Sequence, residues 1–239
     1  MNRPGAFLTA EWKHLLMLNY AIDPAMLAPL VPAGTELDSH EGTTYLSLIG
    51  FEFNRTRLRG VKVPFHQSFE EVNLRFYVRR GDRRGVVFIR ELVPKFAVAA
   101  MARVVFNENY SSVPMSHRIG LDVNGNVIAA EYAWGRKTDR CAMRFETESK
   151  SYVPPPGSLS EFITEHYWGY AAQKNGSSLE YDVKHPQWRV RSAERCGFSG
   201  DATRVFGAQF AEVLRRTPDS GFLAEGSEVT VFRGVRLVA

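Results

Sequence analysis

The chain has 239 residues, a length at which an all-β barrel or sandwich is often undivided, so residues 1–239 are expected to form one domain. Its net charge of +4 is too small and too scattered for a nucleic-acid footprint, and Cys141 and Cys196, far apart and outside any CxxC, indicate neither a disulfide framework nor a structural zinc site. Glu11, Lys13 and His14 interrupt every apolar run near the start and no later window approaches about 18 apolar residues, so no leader or membrane span is expected and the chain reads as cytoplasmic.

In chain order, an apolar strand over Leu15–Tyr20 leads to Asp23-Pro24, a cap and first-turn proline for a short helix over Ala25–Leu30. Pro32 and Gly34 stop that helix. Residues 43–53 alternate as a strand, and the basic stretch 54–67, broken by Gly60 and Pro64, reads as a loop. Two period-2 runs around Gly81-Asp82 then form a hairpin over residues 72–92. Residues 95–106 are alanine-rich and apolar nearly all round, the pattern of a buried helix.

Asn124-Gly125, between Ile119–Val123 and Val127–Trp134, signals a second hairpin with a type I′ turn. A strand over Ala142–Glu148 and a stiff Tyr152–Gly157 segment follow. Ser158 and Ser160 then open a helix over Glu161–Tyr170 with an acidic first turn. Strands over Leu179–Val183 and Trp188–Arg191, a helix near Phe206–Leu214 and a last strand over Val229–Val238 complete the reading.

The faces of the 72–92 hairpin carry the functional argument. With a two-residue loop at Gly81-Asp82, Arg75 faces Phe88 and Asn73 faces Arg90. One face then carries Asn73, Arg75, Tyr77, Val86, Phe88 and Arg90, while Leu74, Phe76, Val78, Val87, Ile89 and Glu91 share the other. The second face is plainly apolar, the first mixed. A closed sheet accommodates both, with helices such as 95–106 over the outside and the mixed face around a cavity. Arginines in that lumen need a partner or an anion, so a small carboxylate-bearing molecule is the natural complement. The rival reading puts Arg75 and Arg90 at a solvent-facing edge, or paired with Glu70 and Glu71.

At these residues the chain resembles a known family. EWKHLLMLNYAIDPAMLAPLVPAGTELD, TYLSLIGFEF, FEEVNLRFYVRR, GVVFIRELVPKFAVAAMARVVFNENY and VPMSHR look like a family of domains of unknown function in the acetoacetate decarboxylase-like superfamily, over roughly residues 10–120. LEYDVKHPQW, further on, still fits. The resemblance implies a mainly β, cone-shaped closed barrel with flanking helices and an internal cavity. The similar decarboxylases form a Schiff base on a lysine activated by a second cation. Lys95 takes that place in IRELVPK if two residues are deleted between Glu91 and Pro94; without the gap Ala97 falls there, and in either case the neighbouring second lysine is missing. Lys13 falls near a cationic substrate-positioning residue of those enzymes.

The leading expectation is therefore a binding domain in which Arg75, Arg90 and Lys13 hold an anionic group, Tyr45, Tyr77 and Phe88 form walls, and Asn73 and Glu91 complete the ligand-binding set. An enzyme forming an imine through Lys95 is the second. The third is a docking patch for acidic partners at Arg79, Arg80, Arg83 and Arg84, which otherwise read as a solvated hairpin tip. His66, Glu70 and Glu71 read as a solvated acidic face and His166 and His185 as packed histidines. No GxSxG, P-loop, GxGxxG or HExxH occurs, and no metal or cofactor is expected. An exposed hairpin edge leaves a homo-oligomer open.

Overall fold

The computed structural model describes residues 5–62, 65–96 and 109–237. The helix expected over 95–106 lies, from residue 97 onward, outside the described residues. Long strands come first: β1 (Ala6–Ile22), α1 (Pro24–Leu27), β2 (Glu36–Leu37), β3 (Thr44–Leu58), β4 (Val61–Lys62), β5 (Phe69–Arg80) and β6 (Arg83–Val93). Shorter strands follow, β7 (Tyr110–Ser112), β8 (Met115–Leu121), β9 (Val127–Trp134) and β10 (Cys141–Glu146), then α2 (Leu159–Thr164), β11 (Trp168–Ala172), β12 (Ser178–Lys184), β13 (Val190–Ser192) and β14 (Arg195–Ser199). The chain ends with α3 (Thr203–Phe206), α4 (Ala208–Leu214), β15 (Ser220–Phe232) and β16 (Val235–Leu237).

The main sheet closes on itself. β15, β1, β3, β5 and β6 pair antiparallel in that order, β6 pairs parallel with β11, β11 pairs with β12, and β12 returns to β15 through Val183–Val231 and Lys184–Thr230. Closure removes the free edges that an open sheet of such long strands would expose. A second, four-stranded sheet, in the order β14-β10-β9-β8, is hydrogen-bonded separately from this ring.

Alternation along β5 shows how the sequence divides inside from outside. Val72, Leu74, Phe76 and Val78 point outward into a core shared with Tyr132, Trp134, Met143 and Phe145 of the second sheet and with Phe206, Phe210 and Leu214 of α3 and α4. Among the described residues it is this second sheet and the late helices that cover the outer face, at about 1.5–3 kcal/mol for each large apolar side chain fully buried. The opposite residues of β5 turn inward, where Ile49, Phe51, Phe53, Phe69, Tyr77, Val86 and Trp188 form a second core inside the ring.

Two irregularities set which side chains point inward. At His14, φ is +52° and the β1–β3 register shifts between Lys13 and Leu16, so Trp12 precedes and Leu15 follows the bulge on the same inner side. The Tyr132 hydroxyl donates to the His14 carbonyl at 3.0 Å and steadies it. On β6, the register shifts beyond Phe88: Arg75 pairs with Phe88 as expected, but Leu74 pairs with Arg90 and Asn73 with Glu91. The expected Asn73–Arg90 pairing is therefore corrected by a bulge at Ile89, which carries Arg90 to the outer face and Glu91 inward.

Other expectations shift by smaller amounts. Asp23 caps α1, its carboxylate accepting from the Ala25 amide at 2.8 Å. Strand β3 runs to Leu58, into the stretch expected to be a loop. Gly81 has φ +57° at the first turn position, as a type II′ hairpin requires, whereas at the second hairpin only Gly125 has positive φ and Asn124 does not, so that turn is not type I′. The helix expected through Tyr170 ends at Thr164, and Trp168–Ala172 is instead a strand of the ring. No helix among the described residues is long and apolar enough to cross a membrane.

Candidate functional site

The ring encloses a cavity of about 110 Å³. One water needs roughly 10–15 Å³ on this measure and an apolar cavity of about 150 Å³ accepts benzene, so the space suits a molecule of a few heavy atoms. Trp12, Phe51, Phe53, Phe69, Phe88 and Trp188 give its wall an aromatic character. Their rings meet edge-to-face or stacked, Trp12 to Phe51 at 5.2 Å and Phe53 to Phe69 at 4.7 Å.

Several polar groups enter this wall through the inward positions of β5 and β6 and the segment at the end of α2. Glu71, Asn73 and Arg75 follow one another along the inner side of β5, Glu91 joins them from β6, and Thr164 and His166 come from the end of α2. Asn73 Nδ2 donates to Glu71 Oε1 at 3.1 Å, and the Tyr110 hydroxyl donates to Glu71 Oε2 at 3.2 Å. Asn73 Oδ1 is buried without a hydrogen-bond partner.

Arg75 is half-buried, and its Nη2 donates to the Ile163 carbonyl at 3.1 Å. Its Cζ lies 5.5 Å from the centre of the Tyr77 ring. Its Nε is buried without a partner, and among the described residues no carboxylate comes within ion-pair distance of it. A guanidinium held in this way, on a residue that lines the cavity, retains unspent hydrogen-bonding and charge capacity.

His166 sits against the same tyrosine, ring to ring at 4.6 Å from Tyr77 and 5.5 Å from Phe162. It is 6% exposed and neither ring nitrogen has a hydrogen-bond partner. Burial, followed by the Arg84 and Arg75 cations, holds its pKa well below the ordinary histidine value, so the ring is neutral. The Ile163 carbonyl favours the charged form slightly, but it makes no well-formed bond to the ring and already accepts from Arg75. His185, stacked on Trp188 at 4.0 Å and on Tyr167 at 4.7 Å, closes another part of the wall, its pKa also lowered by burial.

Of the ligand-binding residues expected from sequence, the structure brings Asn73, Arg75, Phe88 and Glu91 together on the cavity. Tyr77 is the floor beneath Arg75 and His166, its hydroxyl sharing a 2.6 Å hydrogen bond with Ser47. Tyr45 packs 6.2 Å from Phe162, outside the lining. Lys13 is half-buried and pairs with Glu11 at 3.2 Å, because the His14 bulge leaves it on the outer side. Arg90, carried outward by the Ile89 bulge, donates to Ser111 Oγ at 3.1 Å. Lys95 follows β6 half-buried in a loop and is not among the lining residues.

Glu71 is buried on the cavity instead of standing on a solvated face; its place in the same alternation as Asn73 and Arg75 is the signal that finds it. Glu70, one position on, faces out to His117 at 2.9 Å. His166 is packed against Tyr77 and Phe162, as expected of it; its place on the cavity wall depends on α2 ending two residues earlier. The four arginines at the hairpin tip are matched by carboxylates: Arg79 by Glu36, Arg80 and Arg83 by Glu180, and Arg84 by Asp38. Arg83 and Arg84 also lie over the rings of Trp168 and Phe162.

Comparison with known proteins agrees with this architecture. The model of the DUF2071 family, described as an uncharacterized conserved protein, matches residues 9–228. The uncharacterized protein YqjF of Bacillus subtilis (strain 168) is 28% identical over 187 residues, covering 77% of this chain and 74% of its own. Among solved structures, the enduracididine biosynthesis enzyme MppR complexed with pyruvate aligns with a TM-score of 0.68 and 12% identity over 100% of this chain and 92% of its own. Acetoacetate decarboxylase from Legionella pneumophila aligns at 0.69 and 9% over 100% and 90%. An acetoacetate decarboxylase-like enzyme from Sphingomonas wittichii RW1 aligns at 0.67 and 13% over 98% and 94%. At these identities the likeness to solved structures is one of fold, and the fold is acetoacetate decarboxylase-like.

Proposed function

The chain belongs to the DUF2071 family, and on that premise we propose that it binds a small carboxylate-bearing molecule inside the ring, with Arg75 as the anion-holding group. The observation that carries this reading is Arg75 itself, a cation on the cavity with a buried, unpartnered Nε and no carboxylate paired to it among the described residues. A ligand carboxylate supplies both the missing acceptor and the missing charge. The size of the cavity limits the rest of the molecule to a few carbon atoms, which the aromatic wall covers. The pyruvate complex of the similarly folded MppR supports the same class of ligand.

Titration calorimetry with short monocarboxylates, set against the matching amides, tests the proposal. Acids such as propionate or pyruvate bind and propionamide does not, and Arg75→Met abolishes binding while the thermal transition stays cooperative. Equal binding of acid and amide, or undiminished binding by the Met variant, removes it.

A further inference from the structure

Resting on that reading of Arg75, we infer that His166 is a specificity-determining residue, selecting short acids with an oxygen, hydroxyl or oxo, on the carbon next to the carboxylate. Of the cavity-wall groups with unmet hydrogen-bonding capacity, Trp12 Nε1, Asn73 Oδ1, Arg75 Nε and both nitrogens of His166, Arg75 and His166 share the Tyr77 ring as their floor, Cζ at 5.5 Å and imidazole centre at 4.6 Å. The guanidinium is matched by a carboxylate. The imidazole, 94% buried by its 6% exposure, without a partner on either nitrogen and resting on the same Tyr77 ring, takes the adjacent part of the same ligand.

A neutral imidazole is one donor and one acceptor, and the tautomer adjusts to what it meets. Towards a ketone oxygen it donates; towards a hydroxyl it accepts or donates. An unsubstituted alkanoate offers neither and leaves the buried ring unpaired, which is the arrangement in which a site discriminates most strongly. Of the other groups facing the cavity here, Thr164 is already engaged, its hydroxyl donating to the Ser160 carbonyl at 2.7 Å.

Calorimetry with lactate, pyruvate and propionate, three acids with the same carbon skeleton, tests this without needing a variant. The wild-type protein is expected to bind lactate, pyruvate or both roughly tenfold more tightly than propionate, the size of one net hydrogen bond to a buried group. The two oxygenated acids separate a hydroxyl from an oxo preference. His166→Phe brings the ratio to near one with propionate affinity changed by less than about threefold, and His166→Gln, which keeps a donor and an acceptor, retains part of the preference. Equal affinity for all three acids in the wild-type protein, or an unchanged ratio in His166→Phe, overturns the role of His166 while leaving the Arg75 site standing. Binding of none of the three overturns both.

Discussion

Asn73 lies opposite Glu91 across β5 and β6, although Arg75, two positions along the same strand, lies opposite Phe88. The one extra residue in β6 between these two pairs exchanges Arg90 for Glu91 at the cavity. Two guanidiniums expected on one face are thereby separated, one to the inside and one to the Ser111 hydroxyl. Arg90→Ala is accordingly expected to change carboxylate affinity less than about twofold and stability by less than about 0.5 kcal/mol, the ordinary range for a surface position. Calorimetry and a denaturant melt read both, and a variant that loses ligand binding would place the Arg90 guanidinium inside.

Gly169 is the point at which β11 closes against Tyr181, a cavity-lining ring. A Cβ there collides with the Tyr181 ring, and β6–β11 pairing at Gly169–Val86 restrains the backbone from withdrawing. Gly169→Ala is expected to destabilise by about 1–3 kcal/mol, as overpacking does, and to drive the tyrosine into the cavity. Ligand affinity should fall along with the melting temperature. A variant as stable as wild type, with unaltered binding, would mean that Tyr181 does not hold this position.

What was legible in the sequence is what depends on local backbone period. The alternation Asn73, Arg75, Tyr77 against Leu74, Phe76, Val78 divides inside from outside within the hairpin, and the same period marks a mixed face suited to a cavity. The bulges at His14 and Ile89 were not legible, because nothing in Lys13-His14-Leu15 or Phe88-Ile89-Arg90 forbids a regular ladder; their positions are set by neighbours such as Tyr132, more than a hundred residues away. The same holds for α2. Its polar start was visible in Ser158, whereas its end at Thr164 follows from the demand of β6 for a parallel partner in β11. His166, just past that end, was therefore read as one packed histidine among aromatic residues and not as a polar group on a wall.

Lys95 lies beyond the last pair of β6 and outside the lining, and no lysine is among the cavity-lining residues described. Imine formation needs the amine at the ligand carbonyl in its deprotonated form. Incubation with pyruvate followed by borohydride reduction is thus expected to leave Lys95 unmodified in the peptide mass map, with ligand binding intact in Lys95→Gln. A reduced adduct on Lys95 would convert the binding site into a covalent one.

Stability should fall as pH drops below neutrality, and the sign follows from His166. Its folded pKa is held well below 6.5, chiefly by burial and then by Arg84 and Arg75, while in the unfolded chain it titrates near the ordinary value. Between these two values the unfolded state binds a proton that the folded state refuses, so acidification favours unfolding, by up to about 1.4 kcal/mol per pH unit for one such group. His185, lowered by burial as well, acts with the same sign. Glu52, whose pKa is lowered by the His14 hydrogen bond and the His117 and Lys13 charges against an opposing burial effect, loses its contribution only at more acidic pH, as pH falls through its depressed carboxylate range. Urea midpoints measured from pH 7.5 to 5.5 should therefore decline in the wild-type protein and decline less steeply in His166→Phe, where no ring remains to protonate. Parallel slopes in the two proteins would show that His166 is protonated as readily in the folded chain as in the unfolded one, and the neutral imidazole beside Arg75 would have to be given up.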